Sequence, residues 1–359
     1  MTKHSSFKKV VRRHAEETGQ RYTEALADLE GLGARMHHEP VPDRLLAHIR
    51  EHHGIDAVAA TKLSVHNTYV FRIDRRDGDP WVARAFPPAR PRAGVEGDAA
   101  ILRFLERNDY PAERLAVDDA VSDFEGSAVL VTRFIDGEPI AGRLGGGQFA
   151  VMGDLLGRLH ALPLDESVSR PGGADGQDPS REGSPRQDLL AALSFLDSVD
   201  TKVAAADRER FEELRDQVRS ADDGHGLPEG LLHGNLLHAV NHAIVTERGP
   251  VAFNWMASGR GPRLADLAWL LWGTGAWSPR RPDQTNIDAA VDAYRRHVEL
   301  TDEELDRLEA VMYIRPLYLV AFGYRRALTN GVTYDEWGFV EPPEYFTATA
   351  AAARVSFRK

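Results

Sequence analysis

What most constrains this chain is a change of hydrophobic period along its length. Between residues 57 and 86 the apolar residues fall in short β-rich runs, Ala57 to Ser64, then NTYVFRID, then PWVARAF, separated by turns such as Arg76-Asp77-Gly78-Asp79. From Phe149 onward the spacing becomes three and four residues, so that Met152, Leu155, Leu156 and Leu159 share one helix face. A small antiparallel sheet followed by a helical body is the expected result, an α+β class. Between the two, GVEGDAAILRFLERND puts Ile101, Leu102 and Leu105 on helical spacing, and SAVLVTRFIDG reads as a buried strand ending in a glycine turn.

These patterns divide the chain into three parts: a helical extension at 1–56, a strand-rich lobe with its linking strand at 57–137, and a helical lobe at 138–359. In the extension, VPDRLLAHIREHHG keeps Leu45, Leu46 and Ile49 on helical spacing. Residues 165–187 are rich in Pro, Gly, Ser and charge and read as a mobile loop. Helices follow over DLLAALSFLDSV and ADRERFEELRDQVRSA, and again from Leu264 to about Leu328, with a loop flanked by short strands between them.

The length of 359 residues allows a sizeable core, and 42% hydrophobic with 28% charged residues is an ordinary globular composition. The absence of cysteine excludes disulfides, thiolate catalysis and cysteine-ligated metal. The start lacks the apolar core of a signal peptide, and no stretch reaches the roughly 18 apolar residues of a membrane span, so a cytoplasmic location without a membrane partner is expected. A net charge of -11 speaks against nucleic acid as a partner. The exception is the short basic helix carrying Lys8, Lys9, Arg12 and Arg13, which reads either as a solvated face or as a contact surface for nucleic acid or another partner.

One long stretch carries chemistry: LLHGNLLHAVNHAIVTERGPVAFNWMASGRGPRLADLAWLL. It resembles the aminoglycoside phosphotransferase and choline kinase superfamily, whose pattern is HGDxxxxN, a short hairpin, a hydrophobic-Asp-Trp step and a turn leading to LADLA. LGRLHALP, VTRFIDG and VEGDAAILRFL resemble other parts of the same family in the same order, so the resemblance covers most of residues 57–328. It implies a bilobal, protein-kinase-like fold with the catalytic-loop and metal-loop equivalents in the helical lobe.

The resemblance also implies roles residue by residue. In this chemistry a catalytic-loop Asp takes the hydroxyl proton, a following Asn and a second Asp hold magnesium, and a strand cation holds phosphate. Here Asn235 stands at the catalytic Asp position, Val240 at the metal Asn position with Asn241 one step late, and Asn254 at the metal Asp position. An asparagine has no basic site near neutral pH and offers a hard cation only a neutral oxygen. A one-residue bulge would let Asn241 recover its role.

Arg84 takes the place of the strand lysine and can hold phosphate bidentately. Its carboxylate partner is expected from the following helix, at Asp98 or alternatively Glu96; such a pair serves either the nucleotide or only the bracing of the lobe. LSVHNTY, where the family covers phosphates, contains no glycine. Asp266 of LADLA is expected to brace the catalytic loop, with His233 packed behind it. His238 and His242 with His233 invite a zinc reading, but no carboxylate is placed to complete a site. Trp255, Trp269, Trp272, Trp277 and Tyr294 read as core or as walls of an acceptor pocket.

Two functions follow. The first is a pseudokinase-type binder of a nucleotide or small molecule, with ATP as candidate cofactor and magnesium disfavoured. The second is an active phosphotransferase, or an altered-chemistry descendant, acting on an aminoglycoside or another biosynthetic intermediate.

Overall fold

The computed structural model describes residues 42–65, 69–86, 90–140, 145–168, 185–234, 243–276, 281–330 and 343–359. The basic segment around Lys8 to Arg13, most of the loop at 165–187, and Asn235, His238, Val240, Asn241, His242 and Trp277 lie outside these residues.

The N-lobe is a five-stranded antiparallel sheet. Its strands are β1 (Ala57–Val65), β2 (Tyr69–Arg75), β3 (Trp81–Ala85), β4 (Val121–Phe124) and β5 (Ser127–Arg133), in the spatial order β1-β2-β3-β5-β4. Alternation along β2 turns Phe71 and Ile73 inward. In β5, Ala128 to Thr132 are all buried, as a strand covered on both faces requires. Helix α1 (Pro42–His53) packs on β1 and β4, and α2 (Arg92–Arg107) packs on β4 and β5. Leu45, Leu46 and Ile49 of α1 are buried in the same core as the sheet, so this helix, assigned by sequence to an extension, is part of the packed N-lobe.

The C-lobe is helical: α3 (Gly146–His160), α4 (Pro185–Val199), α5 (Arg208–Ser220), α6 (Leu264–Ala276), α7 (Gln284–Tyr294), α8 (Asp302–Met312), α9 (Ile314–Asn330) and α10 (Pro343–Phe357). Its short strands are β6 (Glu138–Pro139), β7 (Glu229–Leu232), β8 (Ala243–Thr246), β9 (Gly249–Ala252) and β10 (Gly259–Pro262), paired as β6-β8-β9 and β7-β10. The whole is an α+β, bilobal, protein-kinase-like fold.

Two features of the packing set the site. Helix α3 lies tightly on α7 because of two glycines one turn apart. A Cβ at Gly153 would stand 2.3 Å from the Ala290 carbonyl oxygen, and one at Gly157 2.7 Å from that of Tyr294. This close approach carries His160, at the end of α3, against Tyr294.

The second feature is the loop after α2, which stitches the lobes together. Arg133 N–H donates to the Arg114 carbonyl at 2.8 Å on the sheet side. On the other side, Ala252 N–H donates to Pro111 and Glu113 N–H to Ala252, both at 2.9 Å. Tyr110 anchors the same loop, its hydroxyl donating to the Leu155 carbonyl at 3.0 Å and its ring edge-on to Trp255.

Candidate functional site at the junction of the lobes

Strand β7 ends at Leu232 and delivers His233 and Gly234 to the entrance of the loop that carries Asn235. Asp266, in the first turn of α6, receives them. Its Oδ2 accepts the His233 N–H at 2.6 Å and its Oδ1 accepts the Gly234 N–H at 3.0 Å. Gly234 has φ of +79°, a left-handed conformation that suits glycine and turns both amides towards one carboxylate. His233 is buried, with Nε2 3.1 Å from the Phe253 carbonyl and its ring against Trp255.

A polar chain reaches Asp266 from the far side. The Tyr294 hydroxyl lies 2.9 Å from Nδ1 of His160, and Nε2 of His160 lies 3.8 Å from Asp266 Oδ2. Burial raises the Tyr294 hydroxyl well above its ordinary range, so it stays protonated and can donate to Nδ1. The end of α3 and the end of α7 thus meet beside Asp266, with His160 Nε2 beyond hydrogen-bond distance of its carboxylate.

The segment after β9 holds the second site position. Asn254 adopts φ 69°, ψ 65°, the left-handed region in which asparagine is tolerated better than most residues. Its backbone N–H donates to Glu113 Oε1 at 2.7 Å, and the other carboxylate oxygen of Glu113 lies 3.6 Å from Arg84 Nη2. Both charged side chains are nearly out of water, 7% exposed for Arg84 and 4% for Glu113.

The expected pairing is therefore corrected. Arg84 takes its carboxylate from Glu113, on the loop after α2, whereas Asp98 of α2 binds Arg90 at 2.6 Å with both side chains buried. Glu96, the alternative, faces solvent and pairs with Arg92 at 2.8 Å. Arg90 also stacks on Phe86 and donates to the Met256 carbonyl at 3.3 Å. Two buried ion pairs thus hold the segment 254–256 from the N-lobe, one through an amide and one through a carbonyl.

Beside Gly234 and Asp266 lies a small recess of about 20 Å³ whose walls include Asp188, Trp269 and Arg315. Asp188 and Arg315 form a buried ion pair at 3.1 Å, and the guanidinium lies 5.6 Å from the centre of the Trp269 ring. Trp269 stacks on Trp272 with ring centres 4.5 Å apart. Trp255, Trp272 and Tyr294 are core residues, and Trp269, though largely buried, contributes to the recess wall.

Of the residues singled out by sequence, the structure brings Arg84 and Asn254 together through Glu113 and places Asp98 in a neighbouring pair; Asn235 and Asn241 lie outside the described residues. Glu113 and Arg90 were not legible. They sit in YPAERL and PPARPRAG, loops without periodicity that look solvent-exposed. Asn254 offers a neutral amide, and among the described residues no group of three or more His, Asp or Glu could hold a metal. Among the described residues no helix is long and apolar enough to cross a membrane.

A five-stranded N-lobe, a helical C-lobe and a segment between them held from the sheet define a kinase-like scaffold. A model described as the phosphotransferase enzyme family matches residues 58–300, and the chain belongs to that family. No curated protein sequence matches it.

Solved structures share the fold at low identity. The amicoumacin kinase hAmiN, in complex with AMP-PNP, Ca2+ and Ami, is similar with a TM-score of 0.60 at 14% identity, over 84% of this chain and 92% of that one. The spectinomycin phosphotransferase APH(9)-Ia, in complex with ADP and spectinomycin, has a TM-score of 0.58 at 15% identity, over 88% and 100%. A choline/ethanolamine kinase family protein from Mesorhizobium loti has a TM-score of 0.57 at 20% identity, over 87% and 99%.

Proposed function

We propose that this phosphotransferase-family chain binds a nucleotide or another small molecule between its lobes and does not transfer a phosphoryl group. The observation that carries this reading is the state of Asn254. The resemblance puts this asparagine, an amide, at the position of the metal-binding aspartate, and its backbone N–H donates to Glu113. Asn235, at the position of the base, has no proton-accepting nitrogen or carboxylate to offer. General-base assistance is worth about 10² to 10⁴ in rate, and metal stabilisation of developing phosphoryl charge adds several kcal/mol. Loss of both leaves a scaffold suited to holding a ligand.

A second reading, an active enzyme that phosphorylates an aminoglycoside-like acceptor, is favoured by one observation: the recess beside Gly234 and Asp266, with Trp269 and the Asp188–Arg315 pair in its wall. The amicoumacin kinase hAmiN was solved with AMP-PNP and Ami, and the spectinomycin phosphotransferase APH(9)-Ia with ADP and spectinomycin, which gives this reading its acceptor class. Isothermal titration of ATP with and without magnesium separates the two. The first predicts that magnesium leaves ATP affinity unchanged. Affinity that rises at least tenfold with magnesium supports the second.

A further inference from the structure

We propose that α1 is an acid-released latch: protonation of the three histidines in its last turns undocks the helix from the N-lobe sheet, with Gly54 as the pivot, and uncovers the apolar face formed by Leu45, Leu46 and Ile49. Such a device does not depend on which reading of the cleft holds.

The histidines form one cluster against the sheet. His48 places Nε2 2.9 Å from the hydroxyl of Ser122, which is buried in β4, and its ring centre 5.2 Å from that of Phe124. His53 sets its ring edge-on to Trp81 of β3, with centres 5.7 Å apart. His52 joins them, its ring centre 5.5 Å from that of His48 and 4.7 Å from that of His53. The Nε2 of His53 is buried and has no hydrogen-bond partner among the described residues. An imidazolium carries an N–H on both nitrogens, so a charged His53 would bury one of them without an acceptor. Trp81 already faces one cation, the Arg75 guanidinium of β2, 4.4 Å from its ring centre.

Glu51 on α1, Asp119 ahead of β4 and Asp123 on β4 face the cluster with the opposite charge. Their attraction is outweighed. Asp123 is engaged by Arg92 of α2, and Glu51 stands in solvent. Burial, then His52 and His48, hold His53 down from 6.5 to about 4, and burial, then His52, lower His48. The docked helix therefore prefers neutral rings. A group lowered on docking contributes fully above about pH 6.5, and that contribution is lost as pH falls towards 4.

The rest of the hold on α1 is modest. Leu45, Leu46 and Ile49 supply the buried apolar contact, and Arg44 pairs with Glu125 at 3.0 Å on the surface. Arg50 donates to the Ala57 carbonyl at the start of β1, next to the pivot. Gly54 follows the helix directly, with φ of +63° and nothing within 4 Å of a Cβ built on it, so the chain is free to turn there.

Hydrogen exchange on the full chain at pH 7.5 and pH 5, with rates scaled for the pH dependence of unfolded amides, tests the latch. Protection across α1 should fall by about tenfold or more at the lower pH while β5 keeps its own; one histidine titrating at 6.5 when free and about 4 when docked supplies such a factor. In the double variant His48→Gln, His53→Gln the fall should vanish. Unchanged α1 protection in the native protein, an equal fall in β5, or a fall that persists in the double variant overturns the proposal. Should the double variant fail to fold, His52→Gln decides. His52 is exposed and lowers both neighbours, so its loss should reduce the fall, and an undiminished fall overturns the proposal.

Discussion

Asp266→Asn is the sharpest test of how the loop entrance is built. The carboxylate accepts two backbone amides, His233 N–H at 2.6 Å and Gly234 N–H at 3.0 Å, and the side chain is 6% exposed. A hydrogen bond to a charged group contributes about 1.5–3 kcal/mol, and a buried donor left without an acceptor costs about 1–3 kcal/mol. Asparagine keeps one acceptor oxygen and turns an NH₂ group towards the other amide. The shorter Gly234 bond is therefore lost, leaving that N–H the 3.3 Å contact to the oxygen that takes His233, and both contacts are weakened by loss of charge, for a total of about 2–4 kcal/mol. Measured against a typical folding stability of about 5–15 kcal/mol, this is a large fraction. Urea unfolding followed by tryptophan fluorescence should show a lower midpoint at unchanged slope. Amide exchange should accelerate at His233 and Gly234 before it does in α6. A stability change under about 0.5 kcal/mol, with exchange at those amides unaltered, would refute the bracing role.

Two further outcomes follow from packing and charge. Gly153→Ala should destabilise by about 1–3 kcal/mol, because its methyl would meet the Ala290 carbonyl and backbone cannot give way. Gly147→Ala in the same helix, with nothing within 4 Å, should be neutral or stabilising; equal effects in thermal melts would contradict the tight α3–α7 contact. On α1, burial is the main cause that lowers His53 from 6.5 to about 4, and His52 and His48 lower it further, against Asp119. Burial likewise lowers His48, whose Nε2 lies 2.9 Å from Ser122 Oγ. His53 protonates more readily when unfolded, so its contribution is complete above about pH 6.5 and is lost as pH falls towards 4, and His48 acts in the same direction. His53→Gln should flatten the melting temperature between pH 7 and 4.5; an unchanged slope would place the pH dependence elsewhere.

How far the sequence could be read depended on whether neighbours along the chain or neighbours in space decide the outcome. Alternation at Phe71 and Ile73 and helical spacing at Met152, Leu155, Leu156 and Leu159 are local signals, and the elements formed there. Asp266 was legible only through the family resemblance, whose LADLA pattern assigns it the bracing role, and it does stand in the first turn of α6. The partner of Arg84 was not. Helical register does turn Asp98 inward, but the cation it meets comes from a proline-rich loop, Arg90, while Glu113 reaches Arg84 only because the following loop is stitched to β9. The docking of α1 was missed for a related reason: an amphipathic helix shows that it has an apolar face without showing what covers it.

The central claim is that the scaffold of a phosphotransferase is retained without its chemistry. Phosphoryl transfer from radiolabelled ATP with magnesium, scored against a panel of aminoglycosides and amino alcohols and as ATP hydrolysis, tests it most directly on the native protein. The account predicts no turnover above the uncatalysed background. Magnesium-dependent turnover that survives repurification and is lost in Asn254→Ala would contradict it.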